Sequence, residues 1–220
     1  MLVKTFGSAV YGIEAVTISI EINVTLGTNI FVVGLPDNAV KESILRVESA
    51  IKSNGFYMPR TKVIVNLAPA DIRKSGSAFD LPIAIGILAA TEQLLNVPAL
   101  ATFVLMGELG LDGSIQPIKG ALPIAITCRR EKFTGLILPL QNAREAAMVN
   151  QLEVHGVTHL NEVIALLENP GGAAPVKVHT REDFLDAQQA PELDFAEVKG
   201  QENIKRALEI AAAGGHNAIL

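Results

Sequence analysis

The sequence predicts an α/β fold built on a mixed sheet. Residues 14–23 alternate between apolar and polar side chains, which is typical of a half-buried antiparallel strand. Residues 80–94 are apolar almost all round, which predicts a buried helix. Strand-like segments lead the chain and alternate with helix-like segments further on, and this order favours a layered mixed sheet over a barrel.

The first half of the chain carries clear signals for strands and for one amphipathic helix. Asp37 is placed to cap that helix, and Asn54-Gly55 is expected to end it. Two acid–base pairs four residues apart are expected on its outer face, Glu42 with Arg46 and Glu48 with Lys52. The predicted strands of this half are 2–10, 14–23, 29–33 and 62–67.

The second half alternates between shorter strands and helices. A loop over residues 68–77 leads into the apolar helix, which we expect Ser77 or Asp80 to cap. The turn Leu111-Asp112-Gly113-Ser114 predicts a tight hairpin. The remaining predicted elements are strands 103–108, 115–118, 135–139 and 152–155, and helices from after Gly120 to about Lys132, over 143–148 and over 160–167.

The composition changes along the chain predict three parts. Residues 1–168 carry the alternating elements of one domain, and residues 169–193 are rich in Pro, Gly and polar side chains, which is typical of a linker. Residues 194–220 show a loop, a helix, a Gly-Gly break and the first residues of an apolar strand. Because such a strand has no partner in the sequence, we expect the chain to be a piece of a longer protein.

The overall composition indicates a globular protein of the cytoplasm. Apolar residues make up 49% of the chain and charged residues 19%, enough for a substantial core. A single cysteine, Cys128, excludes an internal disulfide, and no apolar run approaches the roughly 20 residues of a membrane span. Aromatic residues are only 5%, so we expect few platforms for stacking nucleobases.

Charge is unevenly distributed along the chain. The net charge is −5, which argues against indiscriminate binding of nucleic acid, yet residues 41–74 hold seven basic and three acidic side chains, a local +4. This segment is either a set of solvated helix faces and strand ends or a surface that faces DNA. In the second case, free amides at the start of helix 80–94 would bind a phosphate beside Arg73 and Lys74, the two nucleic-acid candidates.

Two other patterns predict no site. His155 and His159 are four residues apart, but the β-branched and glycine residues between them favour a strand or turn, so we expect no metal site there. Glycines 107, 110 and 113 fall inside a hairpin and do not open a helix after a strand, as a dinucleotide-binding fingerprint would.

Specific motifs carry a family resemblance. Residues 74–80 (Lys-Ser-Gly-Ser-Ala-Phe-Asp) and residues 107–120, in this order and spacing, resemble the proteolytic domain of Lon-type proteases, which has the ribosomal protein S5 domain 2-like fold. Residues 8–15 and 33–37 resemble a narrower group, the YifB/ComM family of magnesium-chelatase-like AAA+ ATPases, which begin with such a domain. Residues 198–217 resemble the start of that family's AAA+ module.

The resemblance implies a hexameric motor that acts on DNA, with branch migration or competence-linked recombination in the ComM members, and with ATP and Mg²⁺ as cofactors of the full-length parent. Val198, Gly200 and Gln201 resemble residues that lie near the adenine. The phosphate-binding pattern G-x-x-x-x-G-K-[ST] does not occur in the 220 residues. We therefore expect no cofactor to bind this chain by itself.

The resemblance to Lon-type proteases also predicts whether the domain can cleave peptides. A Ser/Lys hydrolase needs a serine on a sharp turn and a lysine whose pKa is lowered by burial. Matching the motifs puts Ala78 at the nucleophile position and Leu122 at the lysine position, and neither side chain can do the chemistry. The resemblance therefore predicts a non-catalytic Lon-like domain.

Two alternatives stay open at this point. The first is an active peptidase that pairs Ser77 or Ser75 with Lys119 or Lys74, although one residue near a helix start rotates a side chain by about 100°. The second is a pure oligomerisation module without a substrate.

Overall fold

The computed structural model describes residues 2–94, 98–178 and 195–218. The chain divides into two compact units, Met1–Val178 and His179–Leu220. The strands are β1 (Leu2–Tyr11), β2 (Glu14–Thr25), β3 (Ile30–Val33), β4 (Lys62–Ala68), β5 (Phe103–Leu105), β6 (Glu108–Leu109), β7 (Ile115–Gln116), β8 (Gly135–Pro139) and β9 (Glu153–Val157). The helices are α1 (Asn38–Ser53), α2 (Asp80–Ala90), α3 (Ala121–Arg130), α4 (Leu140–Ala146), α5 (Leu160–Glu168) and α6 (Glu202–Gly214), with 3₁₀ turns at Pro98–Ala101 and Phe195–Glu197.

The first unit is built on one seven-stranded sheet in the order β3-β4-β2-β1-β5-β8-β9. β2 runs antiparallel to both β1 and β4, and the other four pairings are parallel. β6 and β7 form a separate two-stranded hairpin. The mixed α/β fold predicted from the sequence is therefore confirmed.

Helices cover both faces of the sheet. Ile137 belongs to a core cluster with α1, α2 and α5, whereas its neighbours Leu136 and Leu138 belong to a second cluster with α3 and α4. All eleven residues of α2 are buried, as its apolar sequence predicts. The contact between α2 and β2 is so close that a Cβ on Gly86 would lie 2.2 Å from the side chain of Ile22.

Several element boundaries differ from those predicted. α2 ends at Ala90 instead of 94, where the N–H of Thr91 closes the last turn on the carbonyl of Ile87. The predicted strand 103–108 is split into β5 and β6, because the N–H of Gly107 turns away from the sheet and donates to the carbonyl of Ala78. The cap of α1 is confirmed, since Asp37 accepts a hydrogen bond from the N–H of Val40 at 2.9 Å.

The first compact unit extends to Val178 and so includes the beginning of the stretch expected to be a linker. The predicted domain boundary at residue 168 stays a prediction. The N–H of Val176 donates to the carbonyl of Val154 at 2.8 Å and so ties this stretch to β9. The rest of the expected linker, 179–193, lies outside the described residues.

In the second unit α6 is capped at its C-terminus by Gly215, which has a positive φ of 63° that suits glycine. The strand expected to follow is not seen at Asn217 and Ala218, and Ile219 and Leu220 lie outside the described residues. Among the helices that the structure describes, none has the length and apolar character needed to cross a bilayer.

Candidate functional site at the Ser/Gly loop

The two motifs singled out in the sequence lie on one groove. Its volume is about 500 Å³, and it lies beside the carboxyl end of β1, beyond the point where the neighbouring β5 stops. Its lining comprises Ser8–Tyr11, Ser75–Phe79, Met106, Glu108 and Pro117–Lys119. The Ser/Gly loop, defined as residues 74–80, therefore faces the segment that leads into α3.

The serine of this groove is paired with an acid instead of a lysine. The hydroxyl of Ser77 donates a hydrogen bond to the carboxylate of Glu108. Lys119 is exposed at the rim, whereas a lysine that serves as a base requires burial. The hydrogen bond to Glu108 holds the Ser77 hydroxyl in place. Lys119, which a Ser/Lys pair would require as its base, makes no hydrogen bond with this hydroxyl.

The two residues at the positions matched to the protease dyad, Ala78 and Leu122, have a structural role. Ala78 and Leu122 both pack against the core cluster of α3 and α4. The carbonyl of Ala78 accepts a hydrogen bond from the N–H of Gly107 at 3.0 Å, and the N–H of Leu122 donates to a carboxylate oxygen of Glu145 at 3.0 Å. Their backbones are thus fixed, and their side chains offer neither a nucleophile nor a base.

Lys74, one of the two nucleic-acid candidates, is turned into the protein, and this gives its predicted phosphate contact no support. Its side chain is fully buried, and its ammonium donates to the carbonyl of Pro69. Burial lowers the pKa of Lys74, while the nearby charge of Asp71 acts in the opposite direction. Lys74 does not line the groove either, so the geometry gives no support to its pairing with Ser75.

Two amides at the start of α2, where the sequence predicted an anion site, are bonded within the protein. The N–H of Asp80 donates to the carbonyl of Ser77 at 3.1 Å, and the N–H of Leu81 donates to the carbonyl of Gly107 at 3.0 Å. The next residue is Pro82, which has no N–H. These two amides are therefore satisfied inside the protein, and anion binding at the loop stays a prediction. The expectation that Ser77 or Asp80 caps the helix is wrong, because both side chains bond to other partners.

Asp80 instead forms a buried ion pair with Arg46. The Nε and Nη2 of Arg46 contact the two carboxylate oxygens at 2.6 and 3.0 Å, and the N–H of Leu109 adds a third bond at 3.2 Å. Burial raises the pKa of Asp80 to about 6, against the lowering effect of Arg46 and of the Leu109 amide. The expected pair of Arg46 with Glu42 is wrong, whereas Lys52 does contact Glu48 at 2.6 Å.

Arg73 is the accessible member of the two nucleic-acid candidates. Its side chain is exposed and lines a surface pocket with residues 35–39, which include the carboxylate of Asp37. Its carbonyl accepts a hydrogen bond from the hydroxyl of Tyr11. Whether Arg73 meets nucleic acid stays a prediction.

The adenine-side candidates lie in the second unit, at the start of α6. Val198, Gly200 and Gln201 are exposed, and the last two have positive φ values of 71° and 59°. The carbonyl of Gln201 accepts hydrogen bonds from the N–H groups of Ile204 and Lys205, both at 3.0 Å. This geometry begins a helix, and the adenine role stays a prediction.

The two histidines for which no metal site was predicted, His155 and His159, have structural roles. His155 is buried in β9, and burial lowers its pKa, whereas His159 accepts the N–H of Asn161 at the start of α5. Within the described ranges no cluster of three potential metal ligands is found. Cys128 is buried, and burial raises the pKa of its thiol to about 12.

Comparison with known proteins agrees with this geometry. A family model described as subunit ChlI of Mg-chelatase matches residues 20–142, and one described as magnesium chelatase, subunit ChlI, matches residues 194–220. The Lon protease of Chlamydia muridarum is 29% identical over 115 residues, which are 50% of this chain and 14% of that protease. The first unit therefore has the Lon-like, ribosomal protein S5 domain 2-like fold.

Longer matches define the family more narrowly. The competence protein ComM of Haemophilus influenzae is 36% identical over 219 residues, 99% of this chain and 43% of that protein. The YifB protein of Escherichia coli is 39% identical over 214 residues, 96% of this chain and 41% of that protein. The chain belongs to the YifB/ComM family of magnesium-chelatase-like proteins, and it spans about two fifths of the length of these relatives.

Proposed function

We propose that this chain is the front part of an ATP-dependent motor that acts on DNA. Residues 1–168 are its non-catalytic Lon-like domain, 169–193 connect the domains, and 194–220 begin the ATPase module. The observation that carries the first assignment is the groove itself, where Ala78 and Leu122 occupy the matched dyad positions and Ser77 is held by Glu108.

The proposal for the full-length protein has separate support. The match of residues 194–220 to a magnesium chelatase subunit favours ATP and Mg²⁺ as its cofactors, bound by groups beyond this chain and aided by Val198, Gly200 and Gln201. The name of the Haemophilus relative, a competence protein, favours the role in competence and recombination that we propose. A hexameric ring is the assembly we propose.

A peptidase assay tests the non-catalytic assignment. The chain, its Ser77→Ala variant and its Lys119→Gln variant are incubated with casein and with fluorogenic peptides, beside an active Lon protease. We expect all three forms to cleave no faster than the buffer blank. Cleavage by the unsubstituted chain that either substitution abolishes would establish the Ser/Lys peptidase and overturn the proposal.

Two measurements test the motor assignment. The full-length protein is expected to hydrolyse ATP with Mg²⁺, faster when DNA is added, and to form a ring by light scattering. If the chain instead assembles into a stable ring while the full-length protein neither binds DNA nor responds to it, a pure oligomerisation module is the better description.

A further inference from the structure

Another cavity, of about 510 Å³, lies on the surface between the end of α1, the loop before β4 and the start of the edge strand β3. We name it the Tyr57 pocket. Its lining consists of Thr28, Ile30, Glu48, Lys52 and Phe56–Arg60. It shares no residue with the groove of the Ser/Gly loop.

The pocket combines a fixed apolar floor with an open aromatic side chain. Ile30, Phe56 and Met58 pack against the core cluster of α1 and α2. Tyr57 is 60% exposed, yet the side chain of Gln93 holds its backbone, accepting its N–H at 2.8 Å and donating to its carbonyl at 2.9 Å. Its hydroxyl lies 3.5 Å from the carbonyl of Thr91. The ring is therefore presented to solvent from a backbone that two hydrogen bonds hold in place.

The charge at the rim is positive. Lys52 and Glu48 neutralise each other at 2.6 Å. The guanidinium of Arg60 is exposed and has no ion-pair partner in the part of the chain that the structure describes. Lys62 follows two residues later, with its ammonium 5.3 Å from the ring of Phe31. Of the basic segment 41–74, Arg46 and Lys74 are committed to the interior, whereas Arg60 is open to solvent at this end of α1.

We propose that the Tyr57 pocket binds one unstacked base of a single-stranded nucleic acid, with the base on the Tyr57 ring and the adjoining phosphate at Arg60. An aromatic face, an apolar floor and a cation are the groups that hold single strands without reading their sequence. A duplex does not offer free base faces, so it gains only the phosphate contact. This inference deepens the proposed function, since it names the form of DNA and the surface that meets it.

Fluorescence anisotropy on the whole chain tests the proposal, with a labelled 20-nucleotide oligo-dT strand as probe and a duplex of equal length beside it. We expect the single strand to bind more tightly. Tyr57→Ala should weaken its binding by about 5- to 150-fold, since base–aromatic stacking contributes about 1–3 kcal/mol, and Tyr57→Phe should keep most of the affinity. Arg60→Gln should reduce the slope of log K against log salt by about 0.7.

Matched controls use exposed arginines elsewhere. Arg129→Gln and Arg130→Gln in the last turn of α3 should leave affinity and salt slope unchanged. The inference is overturned if the duplex binds as tightly as the strand, if Tyr57→Ala binds like the unsubstituted chain, or if no binding occurs at low salt. If Arg73→Gln abolishes binding and the Tyr57 and Arg60 variants do not, the Tyr57 pocket proposal is overturned, whereas the proposal of a DNA-acting motor is unaffected. Conversely, if the full-length protein binds the single strand but DNA does not change its rate of ATP hydrolysis, the proposed motor function fails and the Tyr57 pocket proposal stands.

Discussion

The Ser/Gly loop and the Tyr57 pocket make opposite use of their polar groups. The Ser/Gly loop holds a motif, a buried lysine and a helix start, and nearly all of these groups are bonded within the protein. The residues around Tyr57 form no motif, and they leave an aromatic ring and a guanidinium open to solvent. A polar group that is satisfied internally contributes to folding, and it is no longer available to a ligand.

The largest expected effect comes from the ion pair behind the Ser/Gly loop. Arg46→Met leaves the fully buried carboxylate of Asp80 without its cation, so the free energy of unfolding at pH 8 should fall by about 3–5 kcal/mol. Urea denaturation followed by circular dichroism measures this change. Lys41→Met, an exposed lysine on the same helix, is the control and should change little. Equal stability of the two variants would show that the pair contributes nothing.

The pH dependence of stability sharpens the same point. The pKa of Asp80 rises from 3.8 in a free chain to about 6 in the fold, so the folded state binds this proton more tightly. Through this group the free energy of unfolding should fall as the pH rises from about 4 to about 6, by about 3 kcal/mol. Denaturation curves across this range should lose that contribution in Asp80→Asn. Parallel curves for the two proteins would contradict the raised pKa.

A smaller effect is expected where α1 supports the Ser/Gly loop. Asp37 accepts the N–H of Val40 at 2.9 Å and that of Gly76 at 3.1 Å, so it caps the helix and anchors the loop. Asp37→Ala should lower the free energy of unfolding by about 1–2 kcal/mol, and Asp37→Asn should recover part of the loss. Thermal or urea unfolding measures both. If Asp37→Ala is as stable as the unsubstituted chain and only Asp37→Asn is less stable, the side chain of Asp37 does not stabilise the helix as a cap.

The smallest effects are expected in the Tyr57 pocket. Because Tyr57 and Arg60 are exposed, Tyr57→Ala and Arg60→Gln should each change the free energy of unfolding by less than about 0.5 kcal/mol. The same denaturation assay checks this. A large loss in either variant would mean that the side chain serves the fold, and the contrast between the two regions would then fail.

The sequence alone was sufficient for features that depend on neighbours along the chain. The alternation in β2, the apolar α2, the Asp37 cap and the Glu48–Lys52 pair were all predicted and are present. Each follows from a period of two or of about 3.6 residues, or from a cap within one turn.

The tertiary structure decided the features that join distant segments. Arg46 meets Asp80 across 34 positions of sequence, although Glu42 lies one helical turn away. Lys74 turns inward to a carbonyl, and the amides that could have bound an anion close on Ser77 and Gly107. No local sequence pattern predicts these partners, because a charged or polar group pairs with whichever residue the folding of distant segments brings close to it. The sequence therefore determined the fold class and the family, and only the folded chain determined which polar groups stay open to a ligand.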